Sequence, residues 1–128
     1  MEFSIELQKE VAAQRADKTV SAGRKFDGEK ARYDLYPSDA YECCTKVLTF
    51  GAKKYADNEW KTVPNGVNRY YAAMIRHMLA QKEHIDRGGK GLLLDEESGL
   101  PHLDHAQCCL IFMRHITNKE KLEVKGQE

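Results

Sequence analysis

Apolar residues in this 128-residue chain recur at helical spacing in three long stretches, and nowhere do they alternate, as strands require, over more than a few residues. That pattern confines the chain to an all-α fold. The first stretch carries Ala40, Cys44, Val47, Leu48 and Gly51. It predicts a helix capped by Ser38 or Asp39, with Glu42 in its first turn, running to about Tyr55. Gly51 inside it costs about 1 kcal/mol relative to alanine, which a close backbone or ligand approach would explain. The second helix is expected from about Val67 to Asp86, with Tyr70, Met74, Met78, Gln81 and Ile85 inward. The third begins at Pro101, suited to a first turn, and runs to about Thr117, with Leu103, Ala106, Leu110 and Met113 on one face. Pro37 forces its predecessor out of helix geometry, so residues 30–37 read as extended. Residues 1–28 read as a charged arm with a short helix at 5–15, residues 29–118 as the functional domain, and residues 119–128 as a charged, fraying tail.

Charge narrows the function. Twenty Lys and Arg balance twenty Asp and Glu, for a formal net charge of zero. A chain without excess positive charge is not expected to coat polymeric nucleic acid, because counterion release drives that binding. The same balance gives little mutual repulsion, so self-association is expected. No stretch approaches the roughly 20 apolar residues of a membrane span, and no apolar signal core is seen, which points to the cytoplasm. The cysteines fall in two adjacent pairs, Cys43-Cys44 and Cys108-Cys109, a spacing unlike zinc or redox motifs, so they are expected as small buried hydrophobes. Cys–His catalysis is disfavoured because Cys108 and Cys109 lie deep in an apolar helix.

Three constellations carry chemistry. Asp95, Glu96, Glu97, His102, Asp104 and His105 crowd around one helix start, and His102 and His105 share a face at i,i+3. Carboxylates with imidazoles suit a divalent ion, Mg2+ or Mn2+. Glu83 and Asp86 form an E-x-x-D at a helix end, where the dipole opposes acids unless a cation neutralises them. Lys30, Arg32, Lys53, Lys54, Arg69 and Arg76 are suited to phosphate, and Arg69, Arg76 and Glu83 lie in line seven residues apart. Tyr33, Tyr55, Trp60 and Tyr70 offer stacking faces, although Trp60 in a polar loop also suits folding back on the core. Asn58, Asn65 and Asn68 offer amides for a purine edge. The residue-by-residue alternatives are a solvated charged surface, satisfied histidines and ordinary core packing.

The ordered series Lys25-Phe-Asp, Lys30-x-Arg-Tyr-Asp-Leu-x-Pro37, Val47-Leu-Thr-Phe-Gly-Ala-Lys-Lys-Tyr55, Asn58, Trp60, Arg69-Tyr70, Arg76-His77, Ala80 and Asp95-x-Glu-Ser-Gly-Leu-Pro-His-Leu-x-His105-Ala106 resembles the phage dATP/dGTP diphosphohydrolase family, which is MazG-like and includes the MazZ enzymes. The resemblance covers roughly residues 24–113. It implies a MazG-like helical bundle with three main helices plus minor ones, assembled as a homodimer or homotetramer. It implies cleavage of a purine deoxynucleoside triphosphate, dGTP favoured over dATP, to monophosphate and pyrophosphate with Mg2+ or Mn2+. It also implies a supply of dGMP for 2-aminoadenine synthesis in some phages. Glu83, Glu97 and His102 are then the expected catalytic groups. Glu42, Glu83, Asp86, Asp95, Glu97 and His105 are the expected metal ligands. Lys30, Arg32, Lys53, Lys54, Tyr55, Asn58, Trp60, Arg69, Arg76 and His77 are expected on the substrate. Two other readings stand beside it: a non-catalytic nucleotide-binding regulatory module, and an HD-type dGTP triphosphohydrolase, against which the lack of an adjacent His-Asp pair weighs.

Overall fold

The computed structural model describes residues 4–16 and 22–127, and among them every regular element is helical. They are α1 (Ile5–Ala16), α2 (Ser38–Lys54), α3 (Gly66–Asp86) and α4 (His102–Gln127), with two 3-10 turns, Tyr33–Leu35 and Glu59–Thr62. No helix among the described residues is long and apolar enough to cross a membrane. The chain forms two compact units, Met1–Tyr36 and Pro37–Glu128.

In the first unit, Ser4 caps α1 by accepting a hydrogen bond from the Leu7 N–H at 3.1 Å. The Ser4 N–H in turn donates to the Glu29 carboxylate at 3.0 and 3.1 Å, so a distant acid completes what a capping box does locally. Residues 30–37 are not fully extended. Arg32 grips Asp34 through two hydrogen bonds of 2.8 and 2.7 Å, and the Tyr36 N–H returns to the Tyr33 carbonyl at 3.2 Å, closing a turn. Tyr36 keeps the extended backbone, ψ 127°, that Pro37 imposes.

In the second unit, α4 is the central element and packs on both α3 and α2. Pro37 takes the cap position of α2, so Ser38 and Asp39 lie inside the helix and no side-chain cap bond forms, contrary to the capping expectation. α4 continues past Thr117 to Gln127, because residues 118–125 contain no Gly or Pro and are rich in Lys and Glu, good helix formers. The core joins Cys44 and Val47 of α2 to Cys108 of α4, with Leu100 and Phe112 packed against them. The Cys44 and Cys108 sulfurs approach to 2.8 Å, and Ala106 and Cys109 are buried beside them in sequence. The cysteines are thus buried thiols, with Cys43 only partly so.

The inward faces differ from the expected ones. Leu48, Met78, Ile85, Leu103 and Leu110 are all exposed. A helix with a broad apolar stripe has more apolar surface than one neighbour covers, and three helices in one chain leave each with an open flank. Gly51 has nothing within 4 Å of where a Cβ would stand, so close backbone approach does not account for it. Gly66 is the tight one: a Cβ there would meet Ile116 Cδ1 at 3.2 Å.

Candidate functional site

The site begins with a buried amide. Gln81 of α3, 4% exposed, donates from Nε2 to the Gly91 carbonyl at 3.0 Å and accepts the Leu93 N–H at 2.8 Å. This clamps the Gly-rich connection against α3. Gly89 crosses so close to the His84 ring that any Cβ there would collide with it. The chain then makes one antiparallel bridge, Leu94 with Pro101, through Asp95 N–H to Leu100 O at 2.8 Å and His102 N–H to Leu93 O at 3.0 Å. The bridge pinches residues 95–100 into a loop at the start of α4. Inside it, Asp95 Oδ1 accepts the Ser98 N–H at 2.9 Å and the Ser98 hydroxyl at 3.1 Å. Gly99, at φ +72°, supplies the left-handed residue that lets the loop return.

Three imidazoles gather on this loop. His105 Nε2 lies 2.7 Å from the Ser98 hydroxyl. His77, from the middle of α3, stacks on His105 with centroids 4.7 Å apart and planes at 13°. His77 Nδ1 stands 2.8 Å from His102 Nδ1. Phe50 of α2 meets His105 edge-on at 6.3 Å. The Ser98 hydroxyl has one hydrogen. When it goes to Asp95, His105 carries its own proton on Nε2, which leaves Nδ1 as the nitrogen with a lone pair. The loop therefore sets the position of Asp95 and the tautomer of His105 together.

The electrostatics follow from burial. Burial, and then the neighbouring His105 and His102, holds His77 below its ordinary value of 6.5. His105 is lowered by burial against the opposing pull of Asp95. Burial thus favours the neutral form of both rings, which offers a lone pair. For Asp95, burial is the largest single influence and pushes upward. The Ser98 N–H and hydroxyl, with His105 and His102 nearby, outweigh it, and the carboxyl lies below its ordinary 3.8.

His77, Asp95 and His102 each aim one donor atom at a common point, with those atoms within 4.8 Å of one another. Two nitrogens and one carboxylate oxygen fit a divalent ion. Glu42, Glu83 and Asp86 belong to no such converging group among the described residues. Glu42 pairs with Lys46 at 3.4 Å on the surface of α2, and Asp86 with Lys82 at 2.5 Å. Glu83 lines a recess of about 400 Å³ with Ala80, His84, Arg87, Gly89 and Leu93. Glu97 leaves the ligand cluster to pair with Lys54, which also lies over the Tyr55 ring at 5.2 Å, tying the end of α2 to the Asp95 loop.

The remaining expected contacts are scattered. Lys53, Tyr55, Asn58 and Arg76 are exposed, Asn58 with φ +61°. Arg69 donates to the Pro64 carbonyl at 3.4 Å. Trp60 folds back on the core, one face stacked on Phe112 at 4.2 Å, while its carbonyl accepts the Tyr70 hydroxyl at 3.1 Å. Lys30 and Arg32 are exposed in the first unit, Arg32 held by Asp34. Sequence reasoning missed Ser98, whose signal was present: Asp95-x-x-Ser98-Gly99 is the spacing of an Asp-nucleated turn.

A family described as dATP/dGTP diphosphohydrolase, N-terminal, matches residues 20–125. A Salmonella phage PMBT28 protein named dATP/dGTP diphosphohydrolase is 31% identical over 96 residues, 75% of this chain. The chain spans 30% of the length of that curated relative. No solved structure matches.

Proposed function

This chain belongs to the dATP/dGTP diphosphohydrolase family, matched at its N-terminal region, and from that premise we propose that it hydrolyses a purine deoxynucleoside triphosphate to monophosphate and pyrophosphate. One observation carries the reading: His77, Asp95 and His102 converge, half-buried, at a loop tied to Lys54. Those three residues would hold a divalent ion, with Mn2+ better suited to the imidazoles than Mg2+. Such an ion, when bound, neutralises the triphosphate and makes water more acidic. His105, its Nε2 engaged by Ser98, takes the proton from water at Nδ1. Lys53 and Lys54 at the end of α2, and Arg76 next to His77, meet the phosphates and the charge that develops on them. Glu97 orients Lys54. Tyr55 and Asn58 meet the base, with guanine preferred over adenine, and the dGMP formed would feed phage 2-aminoadenine synthesis in the host cytoplasm. The chain works as a homodimer or homotetramer. Tyr71, Met78 and Ile85, seven apart on α3, are exposed at 54%, 46% and 53%, an apolar stripe that a second copy would cover.

A second reading has its own observation. A His–Asp donor set is also the chemistry of HD-type triphosphohydrolases, although no His followed directly by Asp occurs; Asp104-His105 runs in the opposite order. Products separate the two. The full chain is incubated with Mn2+ or Mg2+ and each of the four common deoxynucleoside triphosphates, and products are resolved by chromatography. The proposal expects purine monophosphate plus pyrophosphate. Deoxynucleoside plus triphosphate would replace it with the second reading, and nucleotide-induced thermal stabilisation without turnover would leave only a binding module.

A further inference from the structure

We propose that the His77–Asp95–His102 group is a resident transition-metal site, which binds one Mn2+-, Co2+- or Zn2+-class ion per chain without nucleotide and discriminates against Mg2+. The inference deepens the functional reading, because it concerns the same site, but its test does not require turnover. Three observations on the site support it.

The first is donor chemistry. Two of the three converging atoms are imidazole nitrogens, and nitrogen donors suit Mn, Co, Ni and Zn. Mg2+ keeps to oxygen ligands and gives up its waters reluctantly. A site built for a Mg2+–nucleotide complex would present carboxylates, and the two α3 carboxylates available, Glu83 and Asp86, lie outside the converging group.

The second is the contact between the two Nδ1 atoms at 2.8 Å. Two ring nitrogens come that close only if one donates a proton to the other or both give lone pairs to one cation. Nitrogens bound to a single ion at about 2.0–2.1 Å stand roughly 3 Å apart, so little movement is needed to convert one arrangement to the other.

The third is preassembly. The three donors come from α3, the pinched loop and the first turn of α4, and each is fixed by something other than an ion. Asp95 is held by Ser98 at 2.9 and 3.1 Å, His77 is stacked on His105, and the His102 backbone N–H is tied at 3.0 Å to the carbonyl of Leu93, which Gln81 clamps. Ligands ordered in advance bind an ion without the entropy cost of assembling them. Ser98 is a positioning residue here, comparable to the outer-shell partners that orient metal ligands elsewhere.

The experiment uses the chelator-treated full chain with no nucleotide, titrated separately with Co2+, Zn2+, Mn2+ and Mg2+ by calorimetry, with Co2+ also followed by its visible spectrum. The expected result is one Co2+ or Zn2+ per chain, at least about 10-fold tighter than Mg2+, with imidazole resonances of His77 and His102 shifted by Co2+ in the wild-type protein. His77→Gln, Asp95→Asn and His102→Gln should each weaken Co2+ by about 10-fold or more, and Glu120→Gln should not. If a histidine variant fails to fold, the wild-type resonances decide. Mg2+ binding as tight as Co2+, unshifted His77 and His102 resonances, or loss of the site in Glu83→Gln or Asp86→Asn instead would overturn the inference. Co2+ binding as described with no nucleotide hydrolysed would defeat the functional reading and leave this one standing.

Discussion

Helix α4 carries two different regions on one rod. Around Cys108 it is dry: Ala106, Cys108 and Cys109 are buried, Cys44 and Val47 face Cys108 from α2, and burial pushes the Cys109 thiol up to about 11. A turn earlier, at His102 and His105, it is half-buried and polar, every group has a named partner, and burial moves His77 and His105 down. In both regions burial favours the neutral form. In the first, neutrality makes thiols inert filler; in the second, it leaves imidazole lone pairs available. The same physical term yields packing or chemistry depending on which side chain it acts upon.

Mutations at the two ends should therefore separate stability from activity. The largest effect is expected at His102. His102→Ala should lower turnover by about 10³-fold or more, roughly 4 kcal/mol of barrier, with the circular-dichroism melting curve still cooperative. Retained turnover would remove His102 from the chemistry. Val47→Ala should do the reverse, lowering unfolding free energy by about 2 kcal/mol in urea titration while leaving turnover per folded molecule unchanged. Ser98→Ala comes next. Loss of the bonds to Asp95 and His105 should cost about 10-fold in activity or ion affinity, and added metal should restore part of it.

Acid should also distinguish the regions. His77 and His105 have folded values below 6.5, so the folded state binds fewer protons than the unfolded one in that range. Their contribution to stability is full above about pH 6.5 and is lost as pH falls through the depressed values. Asp95, lowered below 3.8, adds a loss only in stronger acid. The thermal midpoint of the metal-free chain should drop between about pH 7 and about pH 5, and less so in His77→Gln. A flat profile would contradict the burial assigned to the imidazoles. The smallest effect is at the exposed Glu42–Lys46 pair, where Lys46→Ala should change stability by less than about 0.5 kcal/mol.

Much of this was legible in the sequence, and the residues show where legibility stopped. The all-helical fold and the three main helices followed from apolar spacing, and the E-x-x-D and acidic-loop motifs were visible as strings. Periodicity gives the face of a helix but not which neighbour covers it, so Met78 and Leu110 read as core and proved exposed. Boundaries erred where local interactions compete with pattern: the Arg32–Asp34 grip made a turn of a segment read as extended. His77 stood in the string beside Arg76, and was read with the phosphate-binding set. Its approach to His102, 25 residues on, depends on how α3 packs against α4, and no local spacing encodes that. The pairing of Glu97 with Lys54 is of the same kind.

The central claim is that chemistry resides in the His–Asp cluster at the start of α4. The most direct test compares dGTP turnover by wild type, Asp95→Asn and Glu120→Gln in Mn2+, with products resolved; Glu120 lies about 27 Å further along the same helix. The account predicts dGMP and pyrophosphate from wild type and Glu120→Gln at similar rates, and a loss of about 10³-fold in Asp95→Asn. Undiminished dGMP formation by folded Asp95→Asn would contradict it.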